Sequence, residues 1–336
     1  MTNTQRFKAA LEGKLTGLDR LPLIEWATWW QLTVERWKSE GFSLVPYTDE
    51  MYSGLGLDVH RQYWLRHTAP DCPKPSAQGK GIIEDEDDYE RIRQYLYPAD
   101  EPERARRRML EWKASHDAGE TVLWYTIDGG FWFPRTLFGI EGHLYSFYDE
   151  PELYRRILDE LADYQLSVLE QIYSVCVPEF MTIAEDMSYN KGPMLSEKLF
   201  KEFLLPYYKR IVPYIKKHST RVIVDSDGDI SEMVPWLIDA GIEGALPLEY
   251  QAGVDVYKIR QSFPKFIMIG GYNKRIMKDG EAAMKREFER LLPIMRSGSY
   301  IPSVDHQTPP DVPIDNYRIY VKLLNEYCTK AVIMKG

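Results

Sequence analysis

From about residue 120 onward the chain keeps one rhythm. A short β-branched or apolar run ends in a polar residue or a glycine, and an amphipathic stretch follows. The runs fall at 122–127, 180–184, 221–224, 244–247, 266–269 and 300–303. The amphipathic stretches cover 151–175, 196–218, 230–240, 254–262, 280–296 and 313–327. Several of them open on helix-start chemistry: Asp149–Glu150–Pro151, Ser196 and Pro313–Ile314–Asp315. Strands alternating with helices predict parallel βαβ units. An earlier unit, 20–25 followed by 30–40, brings the number to seven. The region 43–118 breaks the rhythm with Gly54–Leu55–Gly56, an acidic run at 84–88 and Pro98. It reads as an insertion holding a hairpin around 59–67 and helices over 89–96 and 101–116. The pattern therefore predicts one α/β domain over 1–336, a (β/α)8 (TIM) barrel with an N-terminal insertion region. A doubly wound open sheet is the alternative, but the glycine-rich phosphate turn expected after its first strand is not in the sequence.

Composition narrows the partners. Hydrophobic residues make up 44% of the 336, enough for a large core. The net charge of −9 disfavours nucleic acid, whose binding needs lysine and arginine against phosphates. Three well-separated cysteines, Cys72, Cys176 and Cys328, give neither a disulfide framework nor a cysteine metal cluster. The first residues lack the apolar stretch of a signal peptide, and no run is long enough to span a membrane. The expectation is a cytoplasmic protein that acts on a small molecule. Nine tryptophans and twenty-three tyrosines are rich supply for an aromatic-lined pocket, or simply for a large core.

The chemistry shows in where polar residues fall. Glu185 and Asp186 follow one predicted strand, Asp225, Asp227 and Asp229 another, and Glu249, Asn273, Asp305 and His306 three more. In a barrel these ends open on one face, so residues distant in sequence converge. Asp229 reads best as a helix cap or a turn former, and Asp225–Ser226–Asp227–Gly228 has the composition of a tight turn as well as of a site. Neighbouring Glu185 and Asp186 point opposite ways, one to the mouth and one to the helices. His306 lies in a polar loop, whereas His60, His67, His116, His143 and His218 look structural or exposed. A cleft rich in carboxylates must bind a cation, share protons or raise its pKa values, so it expects a metal or a neutral to cationic substrate.

Several stretches resemble the uroporphyrinogen decarboxylase superfamily. They are Arg20–Leu21–Pro22–Leu23; Gly139–Ile140–Glu141 with Tyr148 to Pro151; Ser196 through Pro206–Tyr207–Tyr208–Lys209; Ser226–Asp227–Gly228–Asp229; Ala240–Gly241; and Pro309–Pro310–Asp311–Val312–Pro313 with Asn316. The resemblance implies a TIM-type barrel and one of two chemistries. The decarboxylase branch holds its polycarboxylate substrate with an arginine-rich N-terminal signature. Here the corresponding stretch is Glu25–Trp26–Ala27–Thr28–Trp29–Trp30, with no arginine between Arg20 and Arg36. The other branch comprises methyltransferases that work with corrinoid proteins, several through a zinc held by His-x-Cys and a distant Cys. The matching positions here are Asp225, Asp227 and His306 or Asp305, without thiolates. The resemblance still implies a zinc ion on this ligand set, one more electrophilic than a thiolate-bound ion.

The resemblance thus implies methyl transfer from a small methoxylated substrate to Co(I) on a corrinoid-binding partner protein. Glu185, Asp227 and His306 are the expected catalytic groups. Trp26, Trp29, Trp30, Trp124 and Trp132, with Tyr189 and Arg135, are candidates for the substrate pocket. A decarboxylase acting on a small acid, anchored by Arg135, is the alternative, and a non-catalytic ligand-binding barrel is a third reading. A homodimer is expected by analogy alone.

Overall fold

The structure, a computed structural model, describes residues 1–332. Seven strands form one sheet: β1 (His60–Trp64), β2 (Val122–Asp128), β3 (Phe180–Ala184), β4 (Arg221–Asp225), β5 (Gly244–Leu246), β6 (Ile267–Tyr272) and β7 (Tyr300–Val304). They neighbour one another in chain order, and every pairing is parallel. Helices connect them, among them Glu101–Asp117, Pro151–Tyr173, Leu205–Lys217, Glu281–Met295 and Ile314–Val332. The result is an α/β fold with a curled parallel sheet wrapped by helices.

Burial explains the strands. All five residues of β3 and the first six of β2 are buried, as parallel strands covered on both faces require. On the inner face, residues at one level touch across strands. Thr126 Oγ1 lies 2.7 Å from Gln62 Nε2 and 2.7 Å from Thr182 Oγ1, joining β1, β2 and β3. The long helix Pro151–Tyr173 begins with proline in its first turn and buries Leu153, Ile157, Leu161, Val168 and Ile172 along one stripe. Ser196 caps the next helical stretch by accepting from Leu199 N.

The region expected as an insertion contributes to the sheet. Residues 60–64 are not half of a hairpin but strand β1, paired in parallel with β2. The sequence His60-Arg61-Gln62-Tyr63-Trp64 is too polar to resemble a buried parallel strand. Its two faces meet different polar partners: Gln62 bonds inward to Thr126, while Tyr63 OH donates outward to Glu101 Oε1 at 2.6 Å. Together with the helix Glu101–Asp117 it supplies a strand–helix unit that the rhythm lacked.

The expected early strand at 20–25 is extended but belongs to no ladder, which leaves seven strands where eight were expected. It lies between the two margins of the sheet. On the β1 side Asp58 N donates to Leu23 O at 2.8 Å, and His60 Nε2 lies 3.0 Å from Glu25 O. On the β7 side Ser303 Oγ donates to Glu25 Oε1 at 2.9 Å and receives Trp26 N at 3.4 Å. Arg20 clasps Asp58 through two bonds, of 2.8 and 2.5 Å. The segment is thus fastened mostly by side chains.

Glu25 at this seam is fully enclosed, and burial raises its pKa to about 7 against the hydrogen bonds from Tyr317 and Ser303. A folded pKa above the unfolded one favours the protonated form in the fold. The contribution is therefore full below the ordinary glutamate pKa of 4.5 and is lost as pH rises through about 7. Glu185, also raised to about 7, behaves alike. In urea melts compared at pH 5 and pH 8, Glu25→Gln should gain stability relative to the native protein at the higher pH, on the order of 2–3 kcal/mol.

Candidate active site at the strand ends

Where the strands end, a pocket of about 240 Å3 is lined by Trp26, Thr28, Gln62, Trp64, Trp124, Asp186, Asp225, Asp227, His306 and Gln307. Trp64 and Asp225 are the last residues of β1 and β4. Larger clefts exist, such as an open groove of about 790 Å3 at the opposite strand ends, bordered by Leu11, Arg221, Ile242 and Phe266. The smaller pocket gathers three aspartates, an imidazole and three indoles at the face where such folds place their chemistry, and a neighbouring cavity of about 340 Å3 shares Trp26, Thr28 and Gln62 with it.

Two local devices build it. The first is a latch. Glu185, with no exposed surface, accepts from Gly130 N (3.0 Å), Phe131 N (2.7 Å) and Trp132 N (3.1 Å), and from the Tyr208 hydroxyl. Burial pushes its pKa up to about 7 despite these bonds. Gly129 leaves no room for more: a Cβ there would sit 2.1 Å from the Glu185 carboxyl carbon. With Glu185 turned toward the helices, Asp186 turns toward the mouth, in the left-handed region at φ +42°.

The second device is the turn after β4. Asp186 Oδ1 accepts Asp227 N at 3.2 Å, Ser188 Oγ donates to Asp227 O at 2.6 Å, and Glu249 Oε2 accepts Gly228 N at 3.0 Å. Gly228 has φ +83°, and a Cβ there would lie 2.6 Å from the backbone of Ser188 and Tyr189. The glycine is thus required both by conformation and by close approach. Asp229 forms a turn rather than a helix cap: it accepts from Ser231 N at 3.0 Å, ahead of the helix Val234–Asp239, whose N-cap is Met233.

Charge accumulates in the pocket. Burial, followed by Asp186 and Asp227, raises the Asp225 carboxyl well above the ordinary aspartate range. Burial and then Asp227 raise Asp186 as well, against Arg135 and His306. His306 Nε2 stands 3.5 Å from Asp227 Oδ2, and its ring meets that of Trp26 edge-on at 6.2 Å. Trp26 is in turn fixed by its Nε1–H bond to Val304 O at 2.8 Å. The arrangement disfavours charge on Asp225 and Asp186 and sets the His306 imidazole beside Asp227.

The expected metal ligands Asp225, Asp227 and His306 do come to one pocket. Among the described residues, however, no group of three or more His, Cys, Asp or Glu side chains is placed to hold a metal ion. The donor set in this arrangement does not fit zinc. Asp305 lies aside, fully buried, accepting Lys274 N at 3.2 Å.

The other expected residues divide. Trp26 and Trp124 line the pocket. Trp29 does not: it is a core residue, 2% exposed, packed on Trp37, Tyr52 and Tyr317. Trp132 is half-buried, with the Arg135 guanidinium 5.3 Å above its ring. Arg135 donates to Asp186 O at 3.2 Å, so its head is engaged by backbone. Trp30 and Tyr189 are exposed. Sequence reading missed Gln62 and Trp64, which stand in the supposed insertion. No sequence signal marks them, because His60-Arg61-Gln62-Tyr63-Trp64 is polar on both faces and only its pairing with β2 places it.

A family model described as uroporphyrinogen decarboxylase (URO-D) matches residues 134–327. Trp26, Gln62, Trp64 and Trp124 lie outside that match. A uroporphyrinogen decarboxylase of Wolbachia sp. subsp. Drosophila simulans is 22% identical over 210 residues, covering 62% of this chain and 57% of that protein. One from Campylobacter jejuni is 26% identical over 196 residues, covering 54% and 52%. The chain thus spans little more than half the length of these relatives. A methyltransferase from Methanosarcina mazei has the same fold, with a TM-score of 0.68 over 97% of this chain and 99% of that one, at 15% identity.

The latch gives a direct test. Gly129→Ala should drive a methyl group into the Glu185 carboxyl and break its bonds to Gly130–Trp132. Calorimetry should show the melting temperature lowered by about 4 °C, as for a loss of about 3 kcal/mol.

Proposed function

This chain belongs to the uroporphyrinogen decarboxylase (URO-D) family, and within that family we propose that it is a methyltransferase acting on a small methoxylated, aromatic substrate. The observation that carries the reading is the lining of the pocket. Three indoles face three aspartates, one of which burial pushes toward its neutral form, and no lysine or arginine is among the lining residues. Decarboxylation of an acid calls for a cation to anchor its carboxylate, and Arg135, the candidate from the sequence, donates to the Asp186 carbonyl instead. Leaving-group chemistry at an ether oxygen calls instead for a proton and an aromatic slot. The fold-mate from Methanosarcina mazei, described as a methyltransferase, is consistent with this choice.

A corrinoid carried by a partner protein would supply the Co(I) nucleophile that accepts the methyl group. A volume of about 240 Å3 suits a methoxylated ring but not a corrin macrocycle, so the acceptor would approach from outside. Trp26, Trp64 and Trp124 flank the ring and exclude water from it. As the C–O bond breaks, its electron pair stays on oxygen, and the Asp225 carboxyl gives that oxygen its proton. The resulting Asp225 carboxylate stands beside Asp186 and Asp227, and this repulsion draws a proton back from solvent. His306, 28% exposed at its side chain and facing Asp227, is the entry for that proton.

The test mixes the protein, chemically reduced Co(I) cobalamin or a corrinoid protein, and methoxylated phenols such as 2-methoxyphenol. Loss of the Co(I) absorbance with equal appearance of the demethylated phenol is the expected result. Asp225→Asn should lower the rate by about 10²–10⁴-fold. The rate should also fall as pH rises through the raised Asp225 pKa, since only the protonated acid serves. Carbon dioxide release from small acids, with no methyl transfer across the panel, overturns the proposal in favour of a lyase.

A further inference from the structure

Beside the pocket runs a chain of buried side chains that the reaction above does not use. Asp128 is the last residue of β2 and shares the inner face of Trp124 and Thr126. Its Oδ1 accepts the Trp64 indole Nε1–H at 3.2 Å. Its Oδ2 lies 3.2 Å from His67 Nδ1. His67 is 3% exposed, and its other nitrogen, Nε2, lies 3.0 Å from Gln165 Nε2. Gln165 Oε1 accepts the Tyr207 hydroxyl at 2.6 Å, and Gln165 Nε2 also donates to Asp128 O at 2.7 Å.

Each bond dictates the next. Tyr207 donates to the amide oxygen, so the amide nitrogen faces the imidazole. An amide N–H aimed at Nε2 makes that nitrogen the acceptor and leaves the ring proton on Nδ1. Nδ1 is buried with no partner other than the nearby Asp128 carboxylate. A bare Nδ1 there would set a lone pair against a negative oxygen. The Nδ1 edge of the ring therefore faces Asp128 across 3.2 Å, without the alignment of a hydrogen bond, and its orientation is set from two helices, Pro151–Tyr173 and Leu205–Lys217.

The other end of the chain is less restrained. Trp64 lines the pocket yet is 49% exposed, so packing confines only part of its ring. We propose that Asp128, held by His67 and Gln165, is a positioning residue that fixes the Trp64 indole as the outer wall of the pocket and so sets the affinity for a ring-bearing substrate. The consequence for substrate rests on the methyl-transfer reading. The positioning itself does not.

Two measurements separate them. In ¹⁵N-labelled protein the Trp64 indole N–H resonance, assigned by its disappearance in Trp64→Phe, should exchange slowly with solvent. In Asp128→Asn, and in Asp128→Ala if that variant folds, exchange should quicken by at least about tenfold, as for the loss of about 1.4 kcal/mol of protection. Unchanged exchange overturns the proposal whatever the enzyme does. In the methyl-transfer assay with 2-methoxyphenol, Asp128→Asn should raise KM about tenfold and change kcat less than about twofold. Trp64→Phe should raise KM similarly, and the double variant should show no further increase. Additive effects, or a loss confined to kcat, reject the link from Asp128 through Trp64 to substrate. A wild-type protein that transfers no methyl, while its Trp64 proton is protected through Asp128, refutes the proposed reaction and leaves the positioning standing.

Discussion

Glu185 binds three consecutive backbone N–H groups at the start of a helix and a tyrosine hydroxyl, all out of reach of water. Enclosure opposes its charge, while the donors and the helix end favour it. The balance leaves the group poised near neutrality and tightly held in place. Because it is held, the chain reverses direction at the next residue. Asp186 then enters the mouth, receives Asp227 N, and brings the turn after β4 beside the end of β3. The spacing of Asp186, Asp225 and Asp227, which sets the proton affinity of the pocket, follows from this one buried contact.

The pocket combines features that are each costly alone. Crowded aspartates repel, and indoles left open to water expose apolar surface. Together they make a slot of apolar walls beside carboxyls whose charge is disfavoured. The pKa directions of Asp225 and Asp186 and the lining by Trp26, Trp64 and Trp124 belong to one design, since the apolar walls contribute to the desolvation that raises the acids.

Much of the fold could be read from the chain because its central strands are apolar on both faces. β3 begins and ends where its run of residues does, and β2, β4 and β7 differ from the expected runs by a single residue at the end. β1 escaped because its side chains are polar on each face, with partners that only tertiary structure supplies. Seven strands appear where eight were expected because residues 21–27 satisfy their neighbours through side chains. In the site, Asp225, Asp227 and His306 were legible from their position after strands. The choice between Glu185 and Asp186 was not, since parity says that they diverge but not which one meets water. Nor can composition distinguish Trp26, whose ring borders the cavity, from Trp29, which packs in the core three residues later.

The seam at residues 21–27 has a consequence for how the pocket can vary. Strands joined by a ladder shift only in whole register steps, and a one-residue slip turns every side chain over. The Glu25–Trp26 stretch hangs from Ser303 on one margin and from His60 on the other. Its height is set by the lengths of those side chains, which vary continuously with their rotamers and identities. Exchanging Ser303 for threonine or cysteine would tilt Trp26 by fractions of an ångström without disturbing any paired strand. One wall of the cavity is therefore a fine adjustment, while the floor, fixed to β4, stays where it is.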